Sequence, residues 1–167
     1  PHRPADPRAS AFHRFALIAL AIQDRSTWRV SDAELVRQGL SYTVDTLRAL
    51  HDRGWRRSQI FFILGADALA EIATWHSFPA VLDDAHFAVV ARPGTTLDAA
   101  VARTPALAPR IRTTDAASET SRETGIFLVE ARTRHVSSSD VRSRLDAGRP
   151  VDDLVPAGVG RQHAPHR

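Results

Sequence analysis

Apolar residues occur along this chain in two kinds of pattern. Ile60-Phe61-Phe62-Ile63-Leu64, His86-Phe87-Ala88-Val89-Val90-Ala91 and the segment Ile126 to Glu130 are short, nearly continuous apolar runs. Runs of that kind mark strands buried on both faces of a parallel sheet. Elsewhere the apolar positions recur at helical spacing. Phe12, Phe15, Leu17, Ala19, Leu20 and Ile22 predict a helix from about Arg8 to Gln23 with a broad apolar face. A second helix is predicted to start in Ser41-Tyr42-Thr43, with Ser41 or Thr43 as N-cap, and to run to about Asp52. Gly54 then stands where a helix-ending glycine belongs. Gly65 breaks the run at residues 60–64, and Leu69, Ile72 and Ala73 continue at helical spacing with Asp67 in the first turn.

The remaining elements are weaker. Trp28-Arg29-Val30-Ser31 reads as a short strand, and a short helix is expected around Phe78 to Asp83. Arg92-Pro93-Gly94 stops the strand before it, and a helix and loop fill Leu97 to Thr124. Val136-Ser137-Ser138-Ser139-Asp140-Val141-Arg142 opens a helix ending at Gly148, and a last short helix is expected around Val151 to Val159. Strands alternating with helices predict an α/β domain: a Rossmann-like open parallel sheet with flanking helices and right-handed crossovers. Residues 1–167 are expected to form one such domain. Sheets of this kind bind nucleotides at the carboxyl ends of their strands, and the strand, glycine turn and helix start of residues 60–76 describe that edge.

Composition changes the picture little. All 22 basic residues are Arg, and the calculated pI is near 10.7, yet the net charge is only +3 and the arginines are scattered. A bias towards Arg explains this better than nucleic-acid binding. Cysteine is absent, which excludes disulfides, thiolate nucleophiles and cysteine metal sites. The histidines show no metal-ligand spacing on one helix face. The longest apolar run, Phe15 to Ile22, is far too short to span a bilayer. No apolar segment directly follows Pro1-His2-Arg3-Pro4, so no signal peptide is predicted and a cytoplasmic protein is expected.

Candidate chemistry gathers at helix starts. Ser41-Tyr42-Thr43, Gly65-Ala66-Asp67 and Ser137-Ser138-Ser139 each present backbone N–H groups at the positive end of a helix dipole. Together they would suit a polyanion such as a triphosphate; singly, each reads as a plain cap. At Ser137 the plain arrangement is a capping box with Asp140, while Arg142 one turn in could fork onto phosphate oxygens. Asp67 either complements the dipole or holds a ribose hydroxyl. Trp75 is either core or an indole face against a flat heterocycle.

Taken in order, Ser41-Tyr42-Thr43-Val44-Asp45-Thr46-Leu47, Phe62-Ile63-Leu64-Gly65-Ala66-Asp67-Ala68-Leu69, Thr74-Trp75-His76, Ala91-Arg92-Pro93-Gly94 and Ser137-Ser138-Ser139-Asp140-Val141-Arg142 resemble bacterial nicotinate-nucleotide adenylyltransferases over roughly residues 1 to 159. The resemblance implies an enzyme with a nucleotidyltransferase fold. It would join nicotinate mononucleotide to the AMP part of ATP, with Mg²⁺ accompanying the triphosphate and with neither nucleic acid nor membrane as partner. It assigns Trp75 and His76, and the backbone around Tyr42 and Thr43, to the nicotinate group, and Asp67 to nucleotide contact. Ser138, Ser139 and Arg142 would hold ATP phosphates, and His2, in the end of a Pro-Pro-His-Lys/Arg loop, would border the substrates. The family's H-x-G-H signature does not occur in these residues. The opening βαβ unit that carries it, about 30 residues or more, is therefore expected to be missing, so no catalytic residue is assigned. Losing one preorganised donor typically costs about 3–4 kcal/mol in barrier, so residues 1–167 alone are expected to turn over slowly or not at all. A non-catalytic remnant that binds nucleotide or a partner, and an adenylyltransferase for another small substrate, remain the alternatives.

Overall fold

In the computed structural model the described residues are 9–91, 97–112, 123–131 and 136–162. In chain order their elements are α1 (Ala11–Ile22), α2 (Thr43–Asp52), β1 (Phe61–Gly65), α3 (Ala66–Ala70), β2 (His86–Ala91), α4 (Leu97–Arg103), β3 (Ile111–Arg112), β4 (Ile126–Glu130), α5 (Ser138–Asp146) and α6 (Ala157–Gln162). Short 3₁₀ turns at Arg57–Gln59, Ile72–Thr74, Ala80–Asp83 and Pro105–Arg110 join them. Contacts divide the chain into two compact units, one of residues 41–133 and one of residues 1–40 with 134–167.

The first unit holds the sheet. Its four strands run parallel in the order β1-β2-β4-β3, as the alternation of elements predicts. Register pairs Phe62 with Phe87 and Leu64 with Val89, and carries Phe87 and Val89 on to Ile126 and Leu128. These six side chains share one face. Leu64, Phe87, Val89 and Ile126 are buried there with Val44 and Leu47 of α2, Leu69 of α3, Ile72, Ala100 of α4 and Leu107. Burying each such side chain stabilises the fold by roughly 1.5–3 kcal/mol.

Several expectations are corrected. β1 is not buried on both faces: Phe61 and Ile63 are 44% and 70% exposed. Among the described residues it pairs with β2 alone, and its alternation decides which residues meet the core. The helix after Gly65 stops at Ala70 and tightens into the 3₁₀ turn at Ile72–Thr74. Trp28 to Ser31 forms no strand, and Trp28 is exposed. β3 lay inside the stretch expected to be helix and loop. The N-cap of α2 is Tyr42, with neither Ser41 nor Thr43 in that place. The last helix begins at Ala157, later than expected, because residues 152–155 form turns. The turn at Arg92-Pro93-Gly94 lies outside the described residues.

The second unit is helical. α1 is capped by Ser10, whose Oγ accepts from the N–H of His13 at 3.2 Å. α1 and α6 pack together. The approach is close at Gly158, where a Cβ would fall 2.6 Å from the carbonyl oxygen of Leu20. Arg144 of α5 pairs with Asp153 at 2.7 Å, and Gly148 ends α5 with φ +64°, the left-handed conformation that glycine adopts without strain.

Candidate functional site

In the first unit the two buried residues of α2, Val44 and Leu47, hold the helix against the sheet. At its start the N-cap, Tyr42, adopts extended backbone and its own side chain makes no capping hydrogen bond. The Tyr42 carbonyl accepts from Asp45 N and Thr46 N at 3.1 and 3.3 Å. The amides of Thr43 and Val44 therefore lie ahead of the first intrahelical bonds, at the positive end of the dipole.

The tertiary structure brings His76 onto Tyr42. Their rings stack with centroids 4.4 Å apart and planes inclined by 26°. The preceding residue, Trp75, is half-buried and meets Phe62 of β1 edge-on at 5.9 Å and 85°. Adjacent side chains thus reach to different partners, one to the start of α2 and one to the sheet. Trp75 N donates to the Ile72 carbonyl at 3.0 Å, and Phe78 N donates to the Trp75 carbonyl at 3.1 Å, closing a tight turn. Ser77, the third residue of that turn, has φ +64°. Glycine or asparagine usually fills such a position, and a non-glycine residue there costs of order 1–3 kcal/mol.

Asp67 sits in the first turn of α3, exposed, directly after the carboxyl end of β1. That is the edge where open α/β sheets take ligands. Among the described residues no hydrogen bond or ring contact joins Asp67 to Tyr42, Trp75 or His76.

In the second unit α5 realises the full capping box. Ser137 Oγ accepts from Asp140 N at 3.0 Å and donates to Asp140 Oδ2 at 2.6 Å, while Ser137 N donates to the same carboxylate oxygen at 3.3 Å. The box uses the amides of residues 137 and 140 and neither those of Ser138 nor of Ser139. Arg142 Nη2 donates to Ser139 Oγ at 3.3 Å. Ser139, Arg142, Ser143, Asp146 and Ala147 line an open depression of about 440 Å³. The capping reading and the anion-holding reading of this segment are therefore compatible. His2 lies outside the described residues.

Sequence reasoning missed two residues. His86, at the start of β2, is 2% exposed. Phe61 stacks on its ring at 4.7 Å, Phe127 meets it edge-on at 5.5 Å, and its Nδ1 accepts from Gly125 N at 3.0 Å. Burial holds its pKa below the usual 6.5, outweighing the nearby Ser58 backbone, which pulls the other way. The Nδ1 lone pair is taken up by the Gly125 N–H and burial disfavours charge, so the neutral ring with its hydrogen on Nε2 is favoured. A histidine heading an apolar run was the available signal. Ser77 gave none, because serine carries no preference for a left-handed backbone.

A parallel α/β sheet with exposed helix starts after its strands defines a nucleotide-binding class of protein. A family model described as cytidylyltransferase-like matches residues 1–144. The chain is also similar to a protein of Desulfitobacterium hafniense strain Y51 named "Probable nicotinate-nucleotide adenylyltransferase", at 35% identity over 95% of this chain and 71% of the relative. Proteins of the same name from Symbiobacterium thermophilum and Salmonella gallinarum are 36% and 33% identical, over 100% and 95% of this chain and 74% and 75% of their own lengths. The chain belongs to the cytidylyltransferase-like nucleotidyltransferases and, within them, to the nicotinate-nucleotide adenylyltransferase family.

No helix among the described residues is long and apolar enough to cross a membrane. Among the same residues no group of three or more His, Asp or Glu side chains could hold a metal ion. Mg²⁺ does not require such a cage, because it keeps several waters and binds largely through substrate phosphates.

Proposed function

We propose that this chain serves adenylyl transfer from ATP to nicotinate mononucleotide, releasing pyrophosphate and forming deamido-NAD. The observation that carries the proposal is the Tyr42–His76 stack at the N-cap of α2, with Trp75 the next residue along the chain and packed on Phe62. A pyridine ring bearing a carboxylate matches that combination. The ring finds aromatic faces, and the anion finds the amides of Thr43 and Val44 at the positive end of a dipole. Asp67 is assigned to a ribose hydroxyl, and Ser138, Ser139 and Arg142 to phosphate oxygens of ATP. Mg²⁺ enters with ATP as part of the substrate, and His2 borders the substrates.

The reaction is an in-line attack by one phosphate on the α-phosphorus of the other nucleotide, without a covalent enzyme intermediate. Positioning two polyanions and neutralising the charge that grows on the leaving group supply most of the acceleration. The residues named here bind and orient. The H-x-G-H pair that would contact the transferring phosphate is not among residues 1–167, so turnover is assigned to the chain together with such a segment.

Equilibrium titration tests the substrate. The chain is expected to bind nicotinate mononucleotide more tightly than nicotinamide mononucleotide, and a form carrying the H-x-G-H segment should turn over the former preferentially. Equal use of the two would end the assignment of nicotinate.

A further inference from the structure

Ser77 has two local roles: its carbonyl accepts from Val81 N at 2.9 Å, at the 3₁₀ turn that buries Val81 and Leu82, and its left-handed backbone turns the chain after His76. A left-handed residue at the third place of the Trp75–Phe78 turn reverses the chain immediately after His76. The Trp75 ring is thereby left against Phe62, and the His76 ring against Tyr42. The backbone of residues 75 and 76 is pinned from two sides, by the strand on one and by the residue heading α2 on the other.

Strain of this kind persists only where the surroundings over-determine it, and it collects at sites where geometry matters. Resting on the adenylyltransferase reading above, we propose that Ser77 is a positioning residue for the pyridine end of the mononucleotide. Its left-handed turn and the Tyr42–His76 stack together set the distance between the Trp75 indole and the first amides of α2. Ser77 acts through its neighbours: the turn fixes where the indole and the amides stand before the ligand arrives, which lowers the ordering cost of binding.

Calorimetric titration of the 167-residue chain with nicotinate mononucleotide, alongside thermal melting, separates the possibilities. Ser77→Val adds a β-branched side chain that resists positive φ, and Tyr42→Ala removes the stack. Either is expected to weaken binding on the order of tenfold, as strain or contact of this size implies, with a melting midpoint close to that of the unaltered chain. Ser77→Gly accepts the left-handed backbone and is expected to retain the affinity. Tyr42→Phe should recover most of what Tyr42→Ala loses. The proposal is overturned if Ser77→Val and Tyr42→Ala bind as well as the unaltered chain, or if affinity simply follows melting midpoint across the four variants. Should Ser77→Val fail to fold, Ser77→Ala against Ser77→Gly carries the same decision, with weaker binding expected in the alanine variant and equal binding overturning the proposal. An unaltered chain that takes up no nicotinate mononucleotide instead removes the substrate reading itself, and this inference with it.

Discussion

The starts of α2 and α5 are built in opposite ways. α2 buries Val44 and Leu47 in the sheet's core and takes no cap from the side chain of its N-cap residue, Tyr42. α5 buries no residue and closes its first turn with the Ser137–Asp140 box. The contrast follows from where each helix gets its stability. A helix held by core packing can leave donors open at modest cost, because the packing outweighs an unmade cap. A solvent-exposed helix has no such reserve and needs its cap, worth about 1 kcal/mol. The absence of a cap from the Tyr42 side chain is therefore tolerable to the fold.

Removing the anchor should break the contrast most severely. Leu47→Ala opens a cavity under α2 and is expected to lower unfolding free energy by about 2–5 kcal/mol, read as a reduced urea midpoint with little change in slope. A loss below about 1 kcal/mol would show that α2 does not depend on the core in the manner described. Next in size is the cap. Ser137→Ala should cost about 1 kcal/mol and should appear as faster amide exchange along α5, while amides of α2 keep their protection. Equal loosening of both helices would remove the distinction between packing and capping.

The smallest effect is a pH drift that arises at the start of β2, on the sheet face that carries Phe61 and Phe127. His86 has a folded-state pKa below its ordinary 6.5. As pH falls past that value the unfolded chain takes up a proton that the folded chain refuses, so the unfolded state binds more protons and stability declines. The full contribution is present above pH 6.5 and is lost towards the lower folded value. Melting midpoints should fall between neutral and mildly acidic pH, and less so in His86→Phe. A midpoint that rises on acidification would mean that the buried ring gains a partner when charged.

Much of the architecture could be read from the residues in order. β2 spans His86–Ala91 and β4 spans Ile126–Glu130, as their apolar runs predict, since a strand covered by neighbours on both sides has little choice but to be apolar throughout. The Ser137 box and the glycines at 54 and 148 were equally legible, because caps and left-handed helix ends depend on a few adjacent residues. β3 was not. Two residues, Ile111 and Arg112, carry no periodicity, and only pairing with β4 makes them a strand. Trp28 to Ser31 has the composition of a strand but no neighbour to bond, so it stays irregular.

For the site, the order of short motifs along the chain pointed to each residue assigned to the pyridine end, namely Tyr42, Thr43, Trp75 and His76. Local sequence could do this because helix starts, glycine turns and aromatic positions are properties of a few consecutive residues. It could not show that Tyr42 and His76 lie ring on ring, nor that Ser77 takes a left-handed backbone just after His76. The stack joins residues more than thirty positions apart. Packing of the whole sheet decides such contacts, since it alone sets which side chains meet and what strain the backbone will bear.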